Sequence, residues 1–313
     1  MRSTSRSQTS ISGKAVFLVN PASANGATGK RWPNLEARAR ELGLYGKALL
    51  SERPGHLTEL AREAAADGDL LVVVGGDGTL NEVVNGVAGS GAELAVLATG
   101  TGQDFGRTYG IPAKLDDAIR LALDGKPRAI DVGRAAFVGP DGSETTRYFA
   151  NVGSAGMSGA VARRANSMSK RLGGRATFYY ALAREFAAWK NTDVTVTFDS
   201  GERRGRMHDV IVANGKWHGG GMKLAPDAEP DDGLFDIVLI GDVTKLDFVT
   251  TSPKLYKGGH VRHPRVEVVR SPTVSIESAA PMPLVLDGEQ DGTTPARLEI
   301  VPGAIRVRLP DRV

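Results

Sequence analysis

The chain begins with apolar runs of strand length that alternate with segments of helical period. The predicted strands and helices are Ala15–Val19, Trp32–Leu42, Lys47–Leu50, Leu57–Ala66, Leu70–Val74, Thr79–Val87, Leu94–Leu97 and Leu115–Leu123. Short apolar strands separated by helices are typical of a parallel sheet that is covered by helices. The first part of the chain therefore predicts an α/β domain.

Strands dominate after about Asp131. The predicted strands there are Tyr148–Val152, Val194–Phe198, Asp209–Asn214, Phe235–Ile240, Val266–Val269, Val274–Ile276, Leu284–Leu286, Arg297–Val301 and Ala304–Leu309, with helices around Ala176–Trp189 and Leu246–Lys254. Their turns are rich in Gly, Pro and Asp, which is typical of an antiparallel β-sandwich. We therefore predict a flexible tail at residues 1–12, an α/β domain at 13–133 and a β-sandwich domain at 134–313.

The composition fits a globular protein of two domains. The chain has 313 residues, of which 41% are hydrophobic and 24% charged, and this length is large for one core. The absence of cysteine excludes disulfides, cysteine nucleophiles and thiolate metal sites. Apolar runs such as Leu70–Val74 and Ile237–Ile240 are far shorter than the roughly 20 residues of a membrane-spanning helix. Residues 1–12 also lack the apolar core of a signal peptide, so we expect a cytoplasmic protein.

One basic and aromatic segment interrupts the sandwich pattern. Its basic residues are Arg163, Arg164, Lys170, Arg171, Arg175, Arg184 and Lys190, interleaved with Met168, Leu172, Phe178, Tyr179, Tyr180, Phe186 and Trp189. Two interpretations stay open: peripheral contact with an anionic membrane surface, or an amphipathic helix on the sheet with a solvated basic face. Nucleic-acid binding is not expected, because no reading motif accompanies the charge.

A glycine turn that carries a carboxylate follows the apolar run Leu70–Val74. The turn reads Gly75-Gly76-Asp77-Gly78-Thr79, and a helix is predicted from Thr79. Glycines let backbone N–H groups approach an anion, and a helix N-terminus favours negative charge, so the turn predicts a phosphate site. Since Asp77 repels phosphate, we expect it to hold Mg²⁺ or to position a hydroxyl. An ordinary strand-to-helix turn is the structural alternative.

Two other phosphate-binding loops are excluded. Gly29-Lys30 is followed by Arg31, and Ala24 stands where a P-loop needs its first glycine. The dinucleotide fingerprint matches Gly76 and Gly78, but Asn81 takes the place of its third glycine. The turn is therefore neither a Walker A loop nor a Rossmann fingerprint.

Small and hydroxyl residues follow all four strands of the predicted parallel sheet. Asn20–Ala24 follow the first strand, Ser51 the second, Gly75–Asn81 the third and Thr99–Thr101 the fourth. Ligands of open α/β sheets bind outside the carboxyl ends of the strands, so these residues predict one common crevice.

Two acidic motifs lie in the second part of the chain. Asp287-Gly288-Glu289 follows a predicted strand, and Asp227–Gly233 combines carboxylates with a turn, which suits a hard cation. A hairpin turn and a solvated acidic turn are their structural alternatives. His260 and His263 stand among cationic residues, which predicts a surface loop and not a metal site.

Taken together, these motifs resemble the catalytic domain of the diacylglycerol kinase family, in particular its bacterial lipid kinases. The blocks that carry the resemblance are Asn20–Ser23, Gly75–Gly86, Thr99–Phe105, Asn151–Gly153, Gly219–Ala228, Asp231–Leu234 and Asp287–Glu289. The Gly-Gly-Asp-Gly-Thr turn also occurs in NAD kinases and phosphofructokinases, but the whole series in this order is specific. One position departs from the pattern: Gln103 stands where relatives usually have Asn, which we expect to alter activity and not to abolish it.

The resemblance implies an ATP-dependent lipid kinase that phosphorylates diacylglycerol or a related lipid, with the nucleotide bound by the first domain and the active site between the two. It implies Glu289 as general base, supported by Asp287, Asp77 and Asp104. The implied ATP contacts are Asn20, Pro21, Ala22, Ser23, Ala24, Ser51, Gly75, Gly76, Asp77, Gly78, Thr79, Leu80, Asn81 and Thr101. A structural Mg²⁺ is implied on Asp232 with main-chain oxygens near Glu229 and Leu234, linked through Asp77 and Asp104 to the reaction centre.

Three alternatives stay open beside this interpretation. An NAD kinase or a sugar-phosphate kinase could share the glycine turn, and a lipid- or nucleotide-binding regulator with weak catalysis is motivated by Gln103. The expected partners are ATP and a lipid at a membrane surface, with a homodimer as a further alternative.

Overall fold

The computed structural model describes residues 15–100, 102–167 and 174–311. The predicted tail at residues 1–12 lies outside the described residues. In the basic and aromatic segment, so do Met168, Lys170, Arg171 and Leu172 and the side chains of Arg175, Phe178 and Tyr179.

The first part of the chain forms the predicted α/β layer structure. Its parallel strands are β1 (Ala15–Val19), β2 (Gly46–Leu50), β3 (Leu70–Gly75) and β4 (Glu93–Ala98), in the order β4-β3-β1-β2. Its helices are α1 (Ala27–Glu41), α2 (His56–Ala65), α3 (Asp77–Val87), α4 (Asp104–Tyr109) and α5 (Leu115–Asp124).

Both faces of this sheet are buried, as strands with continuous apolar sequence require. In β1, Val16 and Leu18 pack in one core with α2 and α3. Ala15, Phe17 and Val19 pack in a second core with α1 and α5 on the opposite face. Because β1 pairs parallel with β3 and β3 pairs parallel with β4, their carboxyl ends lie at one edge of the sheet, between the two helix layers.

The second part is antiparallel, and the predicted sandwich is confirmed. Its strands are β5 (Lys126–Val138), β6 (Glu144–Phe149), β7 (Val152–Gly156), β8 (Thr192–Phe198), β9 (Gly201–Met207), β10 (Asp209–Ala213), β11 (Phe235–Ile240), β12 (Val266–Ser271), β13 (Thr273–Ser278), β14 (Pro283–Leu286) and β15 (Glu289–Leu309). Its helices are α6 (Met157–Ser167), α7 (Gly174–Ala188) and α8 (Lys245–Thr251), followed by 3-10 turns at Ser252–Lys257 and Gly259–Arg262.

Two long strands join the halves. β15 pairs antiparallel with β5 along most of its length, and its Arg306 and Val307 pair parallel with Glu93 and Leu94 of β4. The last strand of the chain thus completes the edge of the first sheet. The predicted boundary at 133/134 falls inside β5, so the two halves share continuous backbone hydrogen bonding.

Two local expectations differ from the structure. The predicted strand Tyr148–Val152 is interrupted at Ala150 and Asn151, because their N–H groups donate to the Asp287 carboxylate and not to a neighbouring strand. The surface loop predicted at His260 was wrong: this residue is 1% exposed, and its Nε2 lies 3.0 Å from Leu224 O.

The described end of the basic and aromatic segment packs against the protein. Phe186 and Trp189, at the end of α7, join the cluster of Met157 and Val161 from α6 and Phe248 from α8. Arg184, Lys190 and Tyr180 are exposed. The amphipathic packing is therefore present in this part, and contact of the exposed residues with a membrane stays a prediction.

Candidate functional site

The predicted nucleotide residues meet at the carboxyl edge of β1 and β3. Asn20 follows β1, and its Nδ2 donates to Thr79 Oγ1 in the first turn of α3 at 3.1 Å. Gly75 permits this approach, because a Cβ on it would lie 2.2 Å from Thr79 Oγ1. The structure thus brings Asn20 and the glycine turn together, and their contact with ATP stays a prediction.

Hydroxyl groups line the same edge. Ser23 Oγ donates to Thr28 Oγ1 at 2.6 Å, and Thr28 shares a 2.8 Å hydrogen bond with Thr99 Oγ1 after β4. Ser51 follows β2, and its backbone N–H donates to the last residue of β1 at 2.9 Å. Thr101, the remaining predicted contact on this edge, lies outside the described residues. Hydrogen bonds therefore link the end of β1 to the ends of all three other strands.

The other predicted ATP contacts carry aliphatic side chains, so their backbone is the polar group they offer. Ala22 O accepts the N–H of Gly26, just before α1, and Pro21 O accepts the N–H of Gly29 in the first turn of α1. Ala24 has a φ of +52°, in the left-handed region. The Leu80 side chain is 3% exposed and packs in the core between α2 and α3, so it is not available to a ligand.

The Asp77 carboxylate ties the glycine turn to the next helix. α3 begins at Asp77, earlier than predicted. Asp77 Oδ2 accepts the N–H of Asp104 at 3.3 Å, and its Oδ1 accepts the N–H of Phe105 at 3.1 Å. These residues open α4, where the Gln103 side chain forms no capping hydrogen bond. Asp77 therefore caps α4 from a neighbouring helix in addition to facing the turn.

A second carboxylate, Asp104, lies beside Asp77. A Cβ on Gly102 would lie 2.5 Å from Asp77 Oδ2 and 3.9 Å from Asp104 Oδ2. Burial raises the pKa of the Asp104 carboxyl; the Gly220 N–H, 2.7 Å from Oδ2, opposes the rise, and the Asp77 charge adds to it. Arg107 pairs with Asp104 Oδ1 at 2.7 Å. The glycine-rich block that begins at Gly219 thus closes onto this carboxylate pair.

Glu289 reaches the glycine turn from the opposite half of the molecule. It opens β15 directly after the Asp287-Gly288 turn, and it is exposed. A Cβ on Gly78 would lie 3.6 Å from Glu289 Oε1. The predicted base and the predicted phosphate turn therefore face each other across the junction of the two halves.

The Asp287 carboxylate accepts four hydrogen bonds at this junction. Its oxygens accept the N–H groups of Ala150 (2.7 Å), Asn151 (2.9 Å) and Val152 (3.0 Å) and the Nδ2 of Asn81 (3.0 Å). Four hydrogen bonds use the acceptor capacity of a carboxylate. The structure therefore shows Asp287 as a positioning residue for the turn that carries Glu289. Its predicted part in a proton or metal network stays a prediction.

A second link across the junction was not predicted. Asn81 Oδ1 accepts a hydrogen bond from Arg147 at 3.3 Å, and Arg147 forms an ion pair with Asp291. The Asp291 side chain is 5% exposed. Its Oδ2 has no hydrogen-bond partner among the described residues. Burial raises the pKa of Asp291 to about 6 against the opposing charge of Arg147.

This raised pKa predicts a pH-dependent stability. Between about pH 4 and pH 6, folded Asp291 keeps a proton that the unfolded chain has released, so the free energy of unfolding falls as the pH rises through this window. We expect the free energy of unfolding of Asp291→Asn, measured relative to that of the wild type, to rise by about 1–3 kcal/mol from pH 4 to pH 7. Urea unfolding of both proteins at pH 4, 5, 6 and 7 measures the difference, and parallel pH profiles would contradict it.

Gln103, the departure from the family pattern, has a left-handed backbone. Its φ is +52° and its ψ 36°, and its Nε2 donates to Gly100 O at 3.2 Å. Asn is several-fold enriched among non-glycine residues with positive φ, because its short polar side chain forms local hydrogen bonds. This conformation supplies a physical reason for Asn at this position in relatives.

We therefore expect Gln103→Asn to stabilise the protein by about 0.5 kcal/mol. Gln103→Ala serves as the matched control, since it keeps the unfavourable φ and loses the bond to Gly100, and it should destabilise. Denaturant unfolding ranks the three proteins. If the Asn variant is no more stable than the Ala variant, the backbone explanation is wrong.

The acidic turn predicted to hold a structural Mg²⁺ has a different arrangement. Asp232 forms an ion pair with Arg270, its Oδ1 accepts the Leu234 N–H at 3.0 Å, and its own N–H donates to Glu229 O at 3.4 Å. In the part of the chain that the structure describes, no three acidic or histidine side chains are grouped as metal ligands. The Mg²⁺ site on Glu229, Asp232 and Leu234 stays a prediction, and a cation there has to displace Arg270.

Two family models match this chain, one in each half. Residues 14–135 match the family model of the diacylglycerol kinase catalytic domain. Residues 151–309 match the model of the YegS C-terminal NAD kinase beta sandwich-like domain. The matched ranges correspond to the α/β layer and to the sandwich.

Two relatives of similar length are both named diacylglycerol kinase. A diacylglycerol kinase of Staphylococcus epidermidis is 30% identical over 90% of this chain and 88% of its own length. A diacylglycerol kinase of Mycobacterium tuberculosis is 29% identical over 95% of this chain and 96% of its own.

A crystal structure of a Bacillus anthracis diacylglycerol kinase shares the fold. It aligns with a TM-score of 0.71 at 22% identity, over 96% of this chain and 97% of its own. The family models match both halves of the molecule, and one sequence relative is 30% identical over 90% of this chain. This similarity shows a shared family and not only a shared fold. The chain belongs to the diacylglycerol kinase family, with its catalytic domain followed by the β-sandwich-like C-terminal domain.

Proposed function

We propose that the protein transfers the γ-phosphoryl group of ATP to the hydroxyl of a lipid, diacylglycerol or a close relative. The observation that carries this proposal is the position of Glu289 Oε1, 3.6 Å from a Cβ built on Gly78. A carboxylate at that position can take the proton of a hydroxyl that attacks a phosphate bound by the turn.

Each group around the turn has a distinct task in this proposal. The N–H groups of the first turn of α3 face the phosphates, and Asn20 holds Thr79 in that turn. Glu289 accepts the proton of the lipid hydroxyl. Asp287 and Asn81 fix the turn of Glu289 relative to α3 by their 3.0 Å hydrogen bond. The reaction then depends on positioning, which is the main contribution of proteins to phosphoryl transfer.

Asp77 and Asp104 fit a Mg²⁺ ion that accompanies ATP. Both place a carboxylate oxygen within 3.9 Å of one point above Gly102, and Mg²⁺ in such sites uses one or two carboxylates together with substrate phosphates. When bound, the ion neutralises charge on the transferring phosphoryl group. Asp77 also keeps α4, and with it Asp104, in place through two backbone hydrogen bonds.

Radiolabelled ATP and a panel of acceptors test the reaction. The purified chain is assayed with diacylglycerol and other lipid alcohols in mixed micelles, with and without Mg²⁺, and with NAD and a sugar phosphate as soluble acceptors. Label in the lipid extract that requires Mg²⁺ supports the proposal. Label in a soluble product favours an NAD or sugar-phosphate kinase, and saturable ATP binding without product favours a regulator.

The structural Mg²⁺ proposed at the acidic turn is tested separately by stability. We expect millimolar Mg²⁺ to raise the melting temperature of the wild type, because an ion bound only by the folded state stabilises it. Asp232→Ala should abolish this rise, whereas Asp199→Ala, an exposed aspartate elsewhere on the sandwich, should keep it. A wild-type melting temperature that is insensitive to Mg²⁺ would remove the site.

A lipid substrate requires contact with a membrane, and the proposal places the protein at the surface of one. No described helix is long and apolar enough to cross a bilayer. Exposed cations and apolar residues near α7 and α8, such as Lys190, Lys245 and Leu246, support peripheral contact.

A further inference from the structure

A small cavity lies in the sandwich domain, between the end of α7, the start of β10 and the loop before α8. Its volume is about 240 Å³, and its lining includes Trp189, Lys190, Arg206, His208 and Lys245. These residues do not belong to the glycine turn or to the junction that carries Glu289. The cavity is smaller than pockets that enclose drug-sized ligands, so it suits a headgroup and not an acyl chain.

Two buried nitrogen atoms in the lining have no hydrogen-bond partner among the described residues. They are Trp189 Nε1 and His208 Nδ1. An indole N–H only donates, so it needs an oxygen acceptor. The His208 side chain is 6% exposed, and its Nδ1 lies 3.5 Å from Asp209 Oδ2, whose carboxylate already accepts two hydrogen bonds from Ser158. Most buried polar groups in folded proteins have a hydrogen-bond partner, and an acceptor that enters the cavity would supply one to the indole N–H.

The charge around the cavity is positive. Lys190, Arg206 and Lys245 are exposed at its rim. Arg206 donates to Asn191 O at 2.9 Å, and Lys245 donates to Ala187 O at 2.6 Å. Lys245 is thus bonded to a neutral acceptor, whereas Arg206 also forms a salt bridge with Asp242. Asp242 lies 4.0 Å from Arg206, and Asp209, beside His208, is a second carboxylate near the cavity, against three cations.

We propose that this cavity binds the phosphate group of an anionic phospholipid or of a soluble phosphate ester. A phosphate ester supplies several anionic oxygens, which match the indole N–H, the imidazole and the three cations. The phosphate group fits the volume together with a glycerol unit. On α8, Leu246 and Val249 are 72% and 58% exposed beside the cavity, which is where acyl chains of a bilayer would lie. The proposal does not depend on phosphoryl transfer by Glu289.

The indole N–H of Trp189 reports directly on the site. The chain contains three tryptophans, and Trp189→Phe identifies the resonance in a ¹⁵N-correlated NMR spectrum of the full chain. Titration with glycerol 3-phosphate at constant ionic strength should shift this resonance saturably and leave the other two in place. Chloride at the same ionic strength should not shift it.

Arg206→Gln and Arg204→Gln form a matched pair. The two arginines lie two residues apart on β9, both are exposed, and Arg204 does not line the cavity. We expect Arg206→Gln to weaken the binding of glycerol 3-phosphate about ten-fold, because a hydrogen bond to a charged group is lost. Arg204→Gln should change it less than about two-fold. Lys190→Gln provides a second test at an exposed position if Arg206→Gln lowers the melting temperature.

Cosedimentation with vesicles separates the two sources of the phosphate group. Binding to phosphatidylglycerol vesicles but not to phosphatidylcholine vesicles, with loss in Arg206→Gln and not in Arg204→Gln, assigns the site to anionic lipid. Selective binding of the soluble ester alone assigns it to free phosphate esters. Equal losses in both arginine variants, or a Trp189 resonance that no phosphate compound moves while vesicle binding is unaffected by Arg206→Gln, overturn the proposal. Loss of kinase activity affects none of these readouts.

Discussion

Glu289→Gln should lower the rate of phosphoryl transfer by about 10²–10⁴-fold at saturating lipid and ATP. The amide is nearly isosteric with the carboxylate, so the contact region above Gly78 keeps its shape, but the amide cannot take the proton of the attacking hydroxyl. The loss corresponds to roughly 3–5 kcal/mol of transition-state stabilisation. Nucleotide affinity should change far less, because the residues assigned to ATP lie on the first sheet and on α3.

The experiment combines single-turnover kinetics with calorimetric titration of the nucleotide. Glu277→Gln is the matched control, since this glutamate is exposed on β13, where it lies opposite Thr195 of β8; its rate should equal that of the wild type. A loss confined to nucleotide affinity would reassign Glu289 from base to ligand contact. A rate within a factor of about three of the wild type would remove it from the mechanism.

The sequence pattern predicted most elements that bury an apolar face, although β5 and α6 were missed. β1 and β3 are buried on both faces and read as continuous apolar runs. β9 was missed because six of its seven residues are exposed, so it has no apolar alternation. α4 was missed because its six residues are too few to establish a helical period.

The candidate site was predictable where neighbouring strand ends bring residues together. Asn20 and the glycine turn follow adjacent parallel strands, so their proximity follows from the fold class. Glu289 and Asp287 were assigned by resemblance, since no local pattern places a β14–β15 turn against α3. Arg147 and Asp291 were not predicted, because a buried ion pair between distant strands leaves no signal in one sequence.

The same reasoning separates two kinds of carboxylate in the short motif Asp287-Gly288-Glu289. Glu289 is exposed at the glycine turn, whereas Asp287 is surrounded by buried backbone donors. A substrate can therefore reach the exposed Glu289 side chain, whereas the acceptor capacity of the Asp287 carboxylate is used by hydrogen bonds within the protein. A variant of Glu289 should therefore lower activity alone, whereas a variant of Asp287 should lower stability as well.

Asp287→Ala should lower the free energy of unfolding by about 3–5 kcal/mol, in contrast to Glu289→Gln, which should leave it unchanged. The substitution leaves the N–H groups of Ala150, Asn151 and Val152 without their acceptor, and each residue is at most 3% exposed. Each unsatisfied buried group costs about 1–3 kcal/mol. The φ of +48° at this position adds strain for alanine.

Urea unfolding and thermal melting measure this effect against two further variants. Asp287→Asn tolerates the left-handed backbone but turns an NH₂ group toward the N–H donors, so it should fall between alanine and the wild type. Asp141→Ala is the control, since its carboxylate accepts two hydrogen bonds from Ser143 in an exposed turn; it should cost less than about 1 kcal/mol. Because Asp287 also bonds to Asn81, its loss should lower activity together with stability. A fully stable Asp287→Ala protein that is inactive would instead make Asp287 a direct participant in the chemistry.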